Sequence, residues 1–581
     1  MPTLPSGAWL ALAFRVSVAL VTRGFFQPDE YYQSLEPAHH LVFGYGQLTW
    51  EWQTSLPIRS VIYPALNAAV YIPLKVIGFD CGLMLIYGPR LIHGCLAAIT
   101  DIYIRDLTRE VLGVQYVLTA SFLSLTSVFH ALALSRSLSN SLETSLTTLA
   151  LASYPWRPST FSSARMRMCL SVAALTCAVR PTNAILWVPM FAKLAWQARL
   201  SGKKLLDVLS NALLIGSIAS CLIVIADTLY YGQVTFTPLN FLRTNLTSVS
   251  LFYGSNPWHY YLSQGLPILC TTTLPFAVHG LWLLIRTPIS DQKSKRQSFE
   301  TRGAEGTLGG LIIWTITIYS LAGHKEWRFL HPLLPLLHIC AAKSLVDVYS
   351  TPQQSRRAGT SEVARSSSTT STSPYRYLPR LALTLHLTLF VLSSIYLVFI
   401  HGSAQLAVMY YLRTLPPSGS SNPAALRSVG FLMPCHSTPW QAYLHREDLK
   451  DTGRMWAISC EPPLAALYSG QNISEYRDQT DVFFADPLRY LRDRFPDTVD
   501  PAYPPSPHPV TLPGQAENTS RAQSWRHEWP SHFVIFGSLL KYQGVSNFLK
   551  GQGYEEIWAV RNGWEEDDKR RGGVRVWKHQ Q

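Results

Sequence analysis

The sequence predicts a polytopic α-helical membrane protein of about eleven transmembrane helices with a small α+β domain at its C-terminal end, and three observations carry that expectation. The first is composition: of 581 residues, 48% are hydrophobic and only 15% charged, against about one quarter charged in an ordinary soluble domain. The second is the recurrence, through the first two thirds of the chain, of apolar runs of about 17–25 residues, the length a helix needs to cross a bilayer. LLDVLSNALLIGSIASCLIVIADTLY and LALTLHLTLFVLSSIYLVFI are two of them. The third is the charge of the loops between these runs.

Placing the N-terminus in the cytosol makes residues 25–58 a lumenal loop. SARMRM, ARLSGKK, RTPISDQKSKRQ and PQQSRRAGTSEVARSSS then all fall on the cytosolic side, and all are rich in Lys or Arg. RSLSNSLET, RPTNA, the 231–263 segment and HKEWRF face the lumen with fewer positive charges, as the positive-inside rule requires. The net charge of +13 is therefore scattered as topology signals and does not form a nucleic-acid-binding face. The N-terminal run is interrupted by Arg15 and lacks a small-residue cleavage site, so it reads as a retained first span. SVIYPALNAAVYIPLKVIG, with two prolines and Lys75, reads as a helix lying at the interface. Residues 288–306 and the Ser/Thr-rich 351–374 read as cytosolic linkers.

The division expected is a transmembrane catalytic domain at 1–412 and a lumenal domain at 413–581. In the second, RMWAIS, SHFVIFG and GVRVWK have the look of strands. Seven of nine cysteines lie in or beside apolar helices, where Cys behaves as a small hydrophobe. Cys435 and Cys460 fall in the polar part, where a disulfide and two free thiols are both open. Asn245, Asn472 and Asn518 head sequons on the lumenal side and are candidate glycosylation sites.

Chemistry is sought in the lumenal loops, because loops carry function on a rigid scaffold. The first, PDEYYQSLEPAHHLVFGYGQLTWEW, sets Asp29, Glu30, Glu36 and Glu51 among Tyr31, Trp50 and other aromatics. Aromatic faces stack on sugar rings while carboxylates hold hydroxyls, and a general base must reach an acceptor hydroxyl. Helix capping by Asp29 and an interfacial aromatic belt are the plainer readings of the same residues. HKEWRF puts His324, Lys325 and Arg328 in one turn, and Arg and Lys suit a phosphate. Arg136 and Arg180 serve equally well as phosphate ligands or as partners of helix-end carbonyls. His39 and His40 are adjacent and cannot share one helical face, so no metal site is expected there. There is no P-loop, GxSxG, HExxH or post-strand GxGxxG. A glycosyl donor would have to arrive through the membrane.

The chain resembles the polytopic, lipid-phosphate-sugar-dependent mannosyltransferases of the GT-C superfamily, which serve N-glycan and GPI-anchor assembly. The residues that carry the resemblance are the acidic first loop, RSLSNSLET, RPTNA and HKEWRFLHPLLPLL. DTLYYGQVTFTPLNFLRTN, YGSNPWHYYLSQGLP, FLMPCHSTPW, CEPP and FFADP place it nearest the GPI-anchor branch. The resemblance implies a GT-C fold and transfer of mannose from dolichyl-phosphate mannose to a GPI lipid precursor in the endoplasmic reticulum lumen. The third mannose would be added, α-1,2-linked, with inversion and without cofactor or metal. By the same resemblance Asp29 is the base, with Glu30 as orienter or substitute. His324, Lys325, Arg328 and Arg180 hold the donor phosphate. Tyr31, Glu36, Trp50, Glu51, Arg136, Trp258 and His259 line the substrates. An N-glycan α-mannosyltransferase shares fold and donor, and is the near alternative. A lipid or sugar transporter predicts an internal repeat with paired broken helices, and no such symmetry is visible.

Overall fold

The computed structural model describes residues 6–80, 82–199, 201–245, 249–252, 254–286, 297–357, 380–451, 453–464, 476–507 and 525–580. The chain forms two compact units, one of residues 1–20, 90–225 and 254–394, the other of residues 21–89, 226–253 and 395–581.

The first unit is helical. One charge inside its apolar runs is met by an internal carboxylate, as a low-dielectric interior demands. Arg15, which interrupts the first apolar run, gives Nε to Asp101 Oδ2 at 2.6 Å and Nη2 to the Ser124 carbonyl at 2.9 Å, and Ser124 Oγ donates to Asp101 Oδ1 at 2.7 Å. Glycines set the closest helix approaches, since in lipid the gain comes from packing and not from apolar transfer. A Cβ at Gly280, in the helix Leu274–Ile285, would collide with the Cys340 carbonyl of the helix Leu334–Arg357. A Cβ at Gly94 would press on the backbone of Val16.

Among the described residues four helical segments are long and apolar enough to cross a membrane: Gly202–Tyr231, Tyr261–Ile285, Trp327–Val348 and Arg380–Thr414. Trp327–Val348 is mostly buried by protein, whereas Gly202–Tyr231 exposes Leu213, Leu222 and Leu229 as a lipid-facing helix does. The helix Gln297–Leu321 begins inside the 288–306 stretch read as a linker. Helix Leu334–Arg357 likewise runs into 351–374, the remainder of which lies outside the described residues.

The second unit joins the first loop to a five-stranded sheet, so it is larger than the 413–581 domain read from composition. The strands are β1 (Val429–Leu432), β2 (Met455–Ala457), β3 (His532–Phe536), β4 (Tyr554–Val560) and β5 (Val574–His579), in the order β2-β1-β3-β5-β4. β1 pairs parallel with β2 and β3, and β5 pairs antiparallel with β3 and β4. β2, β3 and β5 are the three strands legible in the sequence. The interfacial stretch forms the helix Ile62–Val76, whose 15 residues are too few to span. It buries Tyr63, Asn67 and Tyr71 against the protein while exposing Ile72 and Val76. Cys435 and Cys460 are joined as a disulfide.

Candidate active site

In the second unit the first loop is aimed by backbone contacts before any side chain acts. Arg23 N donates to Val398 O at 2.8 Å and Phe25 N to Gly402 O at 2.9 Å. Gly402 sits at φ +68°, where a Cβ would strike Phe25, so glycine is required. A helix then begins at Asp29, with the amides of Tyr31 and Tyr32 both donating to Pro28 O at 2.9 Å. It passes through a π-turn over Tyr31–Leu35 before becoming regular at Glu36–Phe43. Such widened turns recur at functional sites because they displace side chains from the α-helical register. Asp29 is half-buried in the first turn, where the amide dipoles favour a carboxylate, and Glu30 is buried beside it.

Two loop residues read above as substrate ligands are differently employed. Tyr31 is fully buried, stacked on Phe25 at 5.0 Å and edge-on to Tyr443 at 5.4 Å, so its ring is core. Glu36 is also fully buried. Its Oε1 accepts from Gln47 N at 2.9 Å and Gln441 N at 3.1 Å, and its Oε2 from Ala442 N at 2.8 Å. Glu36 is a latch that ties the first loop to the residues after β1. Burial pushes its carboxyl up to about 7 against the pull of those three amides. Each buried amide left without an acceptor costs about 1–3 kcal/mol. Glu36→Ala should therefore destabilise this unit by about 3 kcal/mol or more, read as a lower melting temperature in detergent and faster proteolysis of residues 413–581. An unchanged melting temperature would refute the latch.

Trp50 packs with Ile58, Val249 and Leu464, and Glu51 Oε1 accepts both Nε and Nη2 of Arg59 at 3.0 and 2.6 Å. Next to Glu51 lies Glu461, which the sequence reading missed. It is buried, and burial together with the charge of Glu51 raises it to about 8, partly offset by the Trp50 amide. A lone Glu in CEPP carries no periodic signal, so only the fold reveals it.

The first unit gathers the cations. Arg328 donates Nε to Glu326 Oε2 at 2.5 Å and Nη2 to Oε1 at 2.8 Å, and His324 Nε2 lies 3.3 Å from Glu326 Oε1. Burial favours the neutral form of Glu326, but Arg328 and His324 outweigh it and hold the carboxyl well below its usual range. The hydrogen bond to Glu326 raises His324, against burial. Lys325 is buried, with Nζ on Asn256 O at 2.7 Å, while Asn256 Nδ2 donates to Lys325 O at 2.8 Å. Arg328 and Arg180 both stand over the Phe329 ring, at 5.9 and 5.5 Å. Arg180 pairs with Glu143 at 2.9 Å and donates Nη1 to Ser139 Oγ at 3.0 Å and Asn140 Oδ1 at 3.3 Å. Asn140 Nδ2 reaches Arg328 O at 3.3 Å, and Asn183 Nδ2 donates to Glu143 Oε1 at 2.9 Å.

RSLSNSLET, RPTNA and HKEWRF, whose bonded members lie up to 188 positions apart, thus form one hydrogen-bonded cluster of three fixed cations and two carboxylates. Glu143, Asn140 and Asn183 were missed as members, since each reads singly as a tolerated polar residue in a helix. Arg136 places its Nε on the Leu132 carbonyl at 2.7 Å. Trp258 and His259 are exposed beside one another, and His259 Nδ1 meets Ser263 Oγ at 3.1 Å. Asn245 is exposed at a helix C-terminus, and Asn472 and Asn518 lie outside the described residues.

Known proteins resemble this chain in sequence and fold. A model of the Alg9-like mannosyltransferase family matches residues 7–445. GPI mannosyltransferase 3 of Aspergillus fumigatus is 34% identical over 97% of this chain and 76% of its own length. GPI alpha-1,2-mannosyltransferase 3 of Mus musculus is 34% identical over 83% of this chain and 78% of its own. Among solved structures, ArnT from Cupriavidus metallidurans bound to undecaprenyl phosphate superposes with a TM-score of 0.52 at 12% identity, over 99% of this chain and 98% of that one, which shows a shared fold. The chain belongs to the Alg9-like mannosyltransferase family and has the membrane glycosyltransferase fold of the GT-C type.

Proposed function

We propose that this mannosyltransferase adds the third, α-1,2-linked mannose to a GPI-anchor precursor, taking it from dolichyl-phosphate mannose in the lumen of the endoplasmic reticulum. The observation that carries the reading is the convergence of three separated motifs on one cationic cluster, in a chain whose relatives bear the names given above. About eleven spans with a lumenal C-terminus fit the loop charges.

The donor is β-linked and the product α-linked, so one in-line displacement accounts for the inversion. The 2-hydroxyl oxygen of the terminal mannose attacks C1 while the Asp29 carboxylate takes its proton and Glu30 orients it. The C1–O bond to phosphate breaks, and dolichyl phosphate leaves with the bonding pair. Arg328, Lys325, Arg180 and His324 neutralise that phosphate as charge builds on it, the electrostatic part of catalysis. Glu51, Trp258 and His259 serve the sugars, with Trp50 packed behind Glu51 as core.

Cells depleted of the protein and labelled with radioactive mannose provide the test. A GPI precursor carrying two mannoses is expected to accumulate. Build-up of a truncated dolichol-linked oligosaccharide would instead assign the N-glycan acceptor. An unchanged lipid profile would overturn the proposed activity.

A further inference from the structure

We propose that Trp564, in the connection between β4 and β5, is a membrane-interface anchor: its indole lies in the headgroup layer of the lipid bilayer, and its backbone thereby sets the depth of the first loop. In sequence Trp564 is the one large apolar residue of 561–571, among four acidic and four basic side chains. It is 66% exposed. A single exposed Trp is ordinary; what sets this one apart is where its backbone is held.

Trp564 N donates to Tyr396 Oη at 2.8 Å, and its carbonyl accepts from His401 Nδ1 at 3.2 Å. Gly563 has φ +77°, and a Cβ on it would sit 3.0 Å from Tyr396 Oη and 3.4 Å from Ile400 Cγ2. Asn562 is buried; its carbonyl accepts from Gly402 N at 3.3 Å and its Oδ1 from Ala404 N at 3.1 Å. Residues 562–564 are thus moulded onto residues 396–404, inside the apolar segment Arg380–Thr414. In that segment Ile395, Phe399 and Ile400 are each at least 41% exposed. Lipid satisfies such side chains, and Trp is favoured where hydrocarbon gives way to headgroups, with its ring in the apolar part and its N–H towards water. Continuity names the occupant: the bilayer that covers Ile400 extends to Trp564. The balanced charges of 561–571 make the contact independent of anionic lipid.

Residues 396–404 also receive the first loop, through the bonds from Arg23 N to Val398 O and from Phe25 N to Gly402 O. A Cβ on Gly24 would lie 2.3 Å from the His401 carbonyl oxygen, so the loop runs flush against that backbone. His401 therefore meets Gly24 through its carbonyl and Trp564 through its ring. Whatever fixes the depth of these residues fixes the start of the helix that begins at Asp29.

The test places the photo-crosslinker p-benzoylphenylalanine at position 564 of the full-length protein and, as a control, at position 555 on the exposed edge strand β4. Illumination in native membranes should join position 564 to phospholipid, read by mass spectrometry, and leave position 555 without lipid. The adduct at 564 should persist in phosphatidylcholine nanodiscs at high salt. Crosslinking of 564 to another polypeptide, a second copy included, would overturn the anchor, and so would the absence of any lipid adduct. Hydrogen exchange over residues 23–30 then reads the link to the first loop. Trp564→Ala keeps the backbone bonds of 562–564, so in detergent its uptake should match the wild type, whereas in nanodiscs it should exchange faster. Equal uptake in both media would refute the link. Neither readout uses mannosyl transfer, so failure of the anchor and failure of the proposed activity are told apart.

Discussion

Asp29→Asn is expected to fold, insert and keep the Cys435–Cys460 disulfide, yet to transfer mannose at least about a hundredfold more slowly than the wild type. The exchange is nearly isosteric and removes only the ability to take a proton. Asp29 is half-buried, so its loss leaves no cavity, and it stands in the first turn of a helix whose backbone bonds are made by neighbouring residues. Asn is itself acceptable near a helix start, so the local structure has little reason to change. A general base in a positioned site contributes about 10²–10⁴ in rate, which sets the expected loss. Glu30 is the control of position: it is buried where Asp29 is accessible, so Glu30→Gln should lower the rate less than Asp29→Asn does. Microsomes from cells expressing each variant, assayed with labelled donor, give the comparison. Wild-type transfer by Asp29→Asn would remove Asp29 from the mechanism.

Much of this was legible in the sequence, and what was not has a physical reason. Membrane character declares itself because the bilayer imposes one length on every spanning segment, and four described helical segments meet it. The pattern of Arg15 within an apolar run announces a partner, but Asp101 lies 86 positions away and only packing identifies it. The motif residues were recognisable singly, whereas their grouping was not: Arg180, Glu143 and Asn140 meet because the helix Ser139–Ser153 packs against the helix Ser163–Val179, whose C-cap is Arg180. Tyr31 and Glu36 misled for the opposite reason. An aromatic and a carboxylate in the first loop have the chemistry of a sugar ligand, and burial alone reassigns them to core and latch. β1 and β4 were not picked out either. β1 is four residues long and buried throughout, so it offers no alternation, and β4 lies at the sheet edge with Glu555 and Glu556 exposed. The 412/413 boundary drawn from composition follows the change in polarity, while the compact unit follows contacts, which bring residues 21–89 in with the sheet.

Arg328→Lys should reduce transfer by about a hundredfold while sparing the fold. The guanidinium engages Glu326 through Nε and Nη2 in a two-pronged bond, and a planar fork of this kind is what a phosphate also accepts. Lysine keeps the charge, so the half-buried Glu326 carboxylate is not left uncompensated, but it is a point charge and cannot reproduce the fork. Arg328→Ala would confuse the issue, because it leaves the half-buried Glu326 carboxylate without its partner and a folding defect would mimic a catalytic one. The comparison with Glu326→Gln then separates two roles for the pair. If Glu326 serves only to hold Arg328 in place, the Gln variant loses rate in step with disorder of the arginine. If Glu326 also tempers the positive charge so that dolichyl phosphate can depart, product release slows and product inhibition by dolichyl phosphate tightens in the Gln variant while the first turnover stays fast. Single-turnover and steady-state rates measured on the same preparation distinguish these. Either outcome keeps Arg328 on the leaving phosphate, whereas an Arg328→Lys enzyme with full activity would move that task to Lys325 and Arg180, the other fixed cations of the cluster.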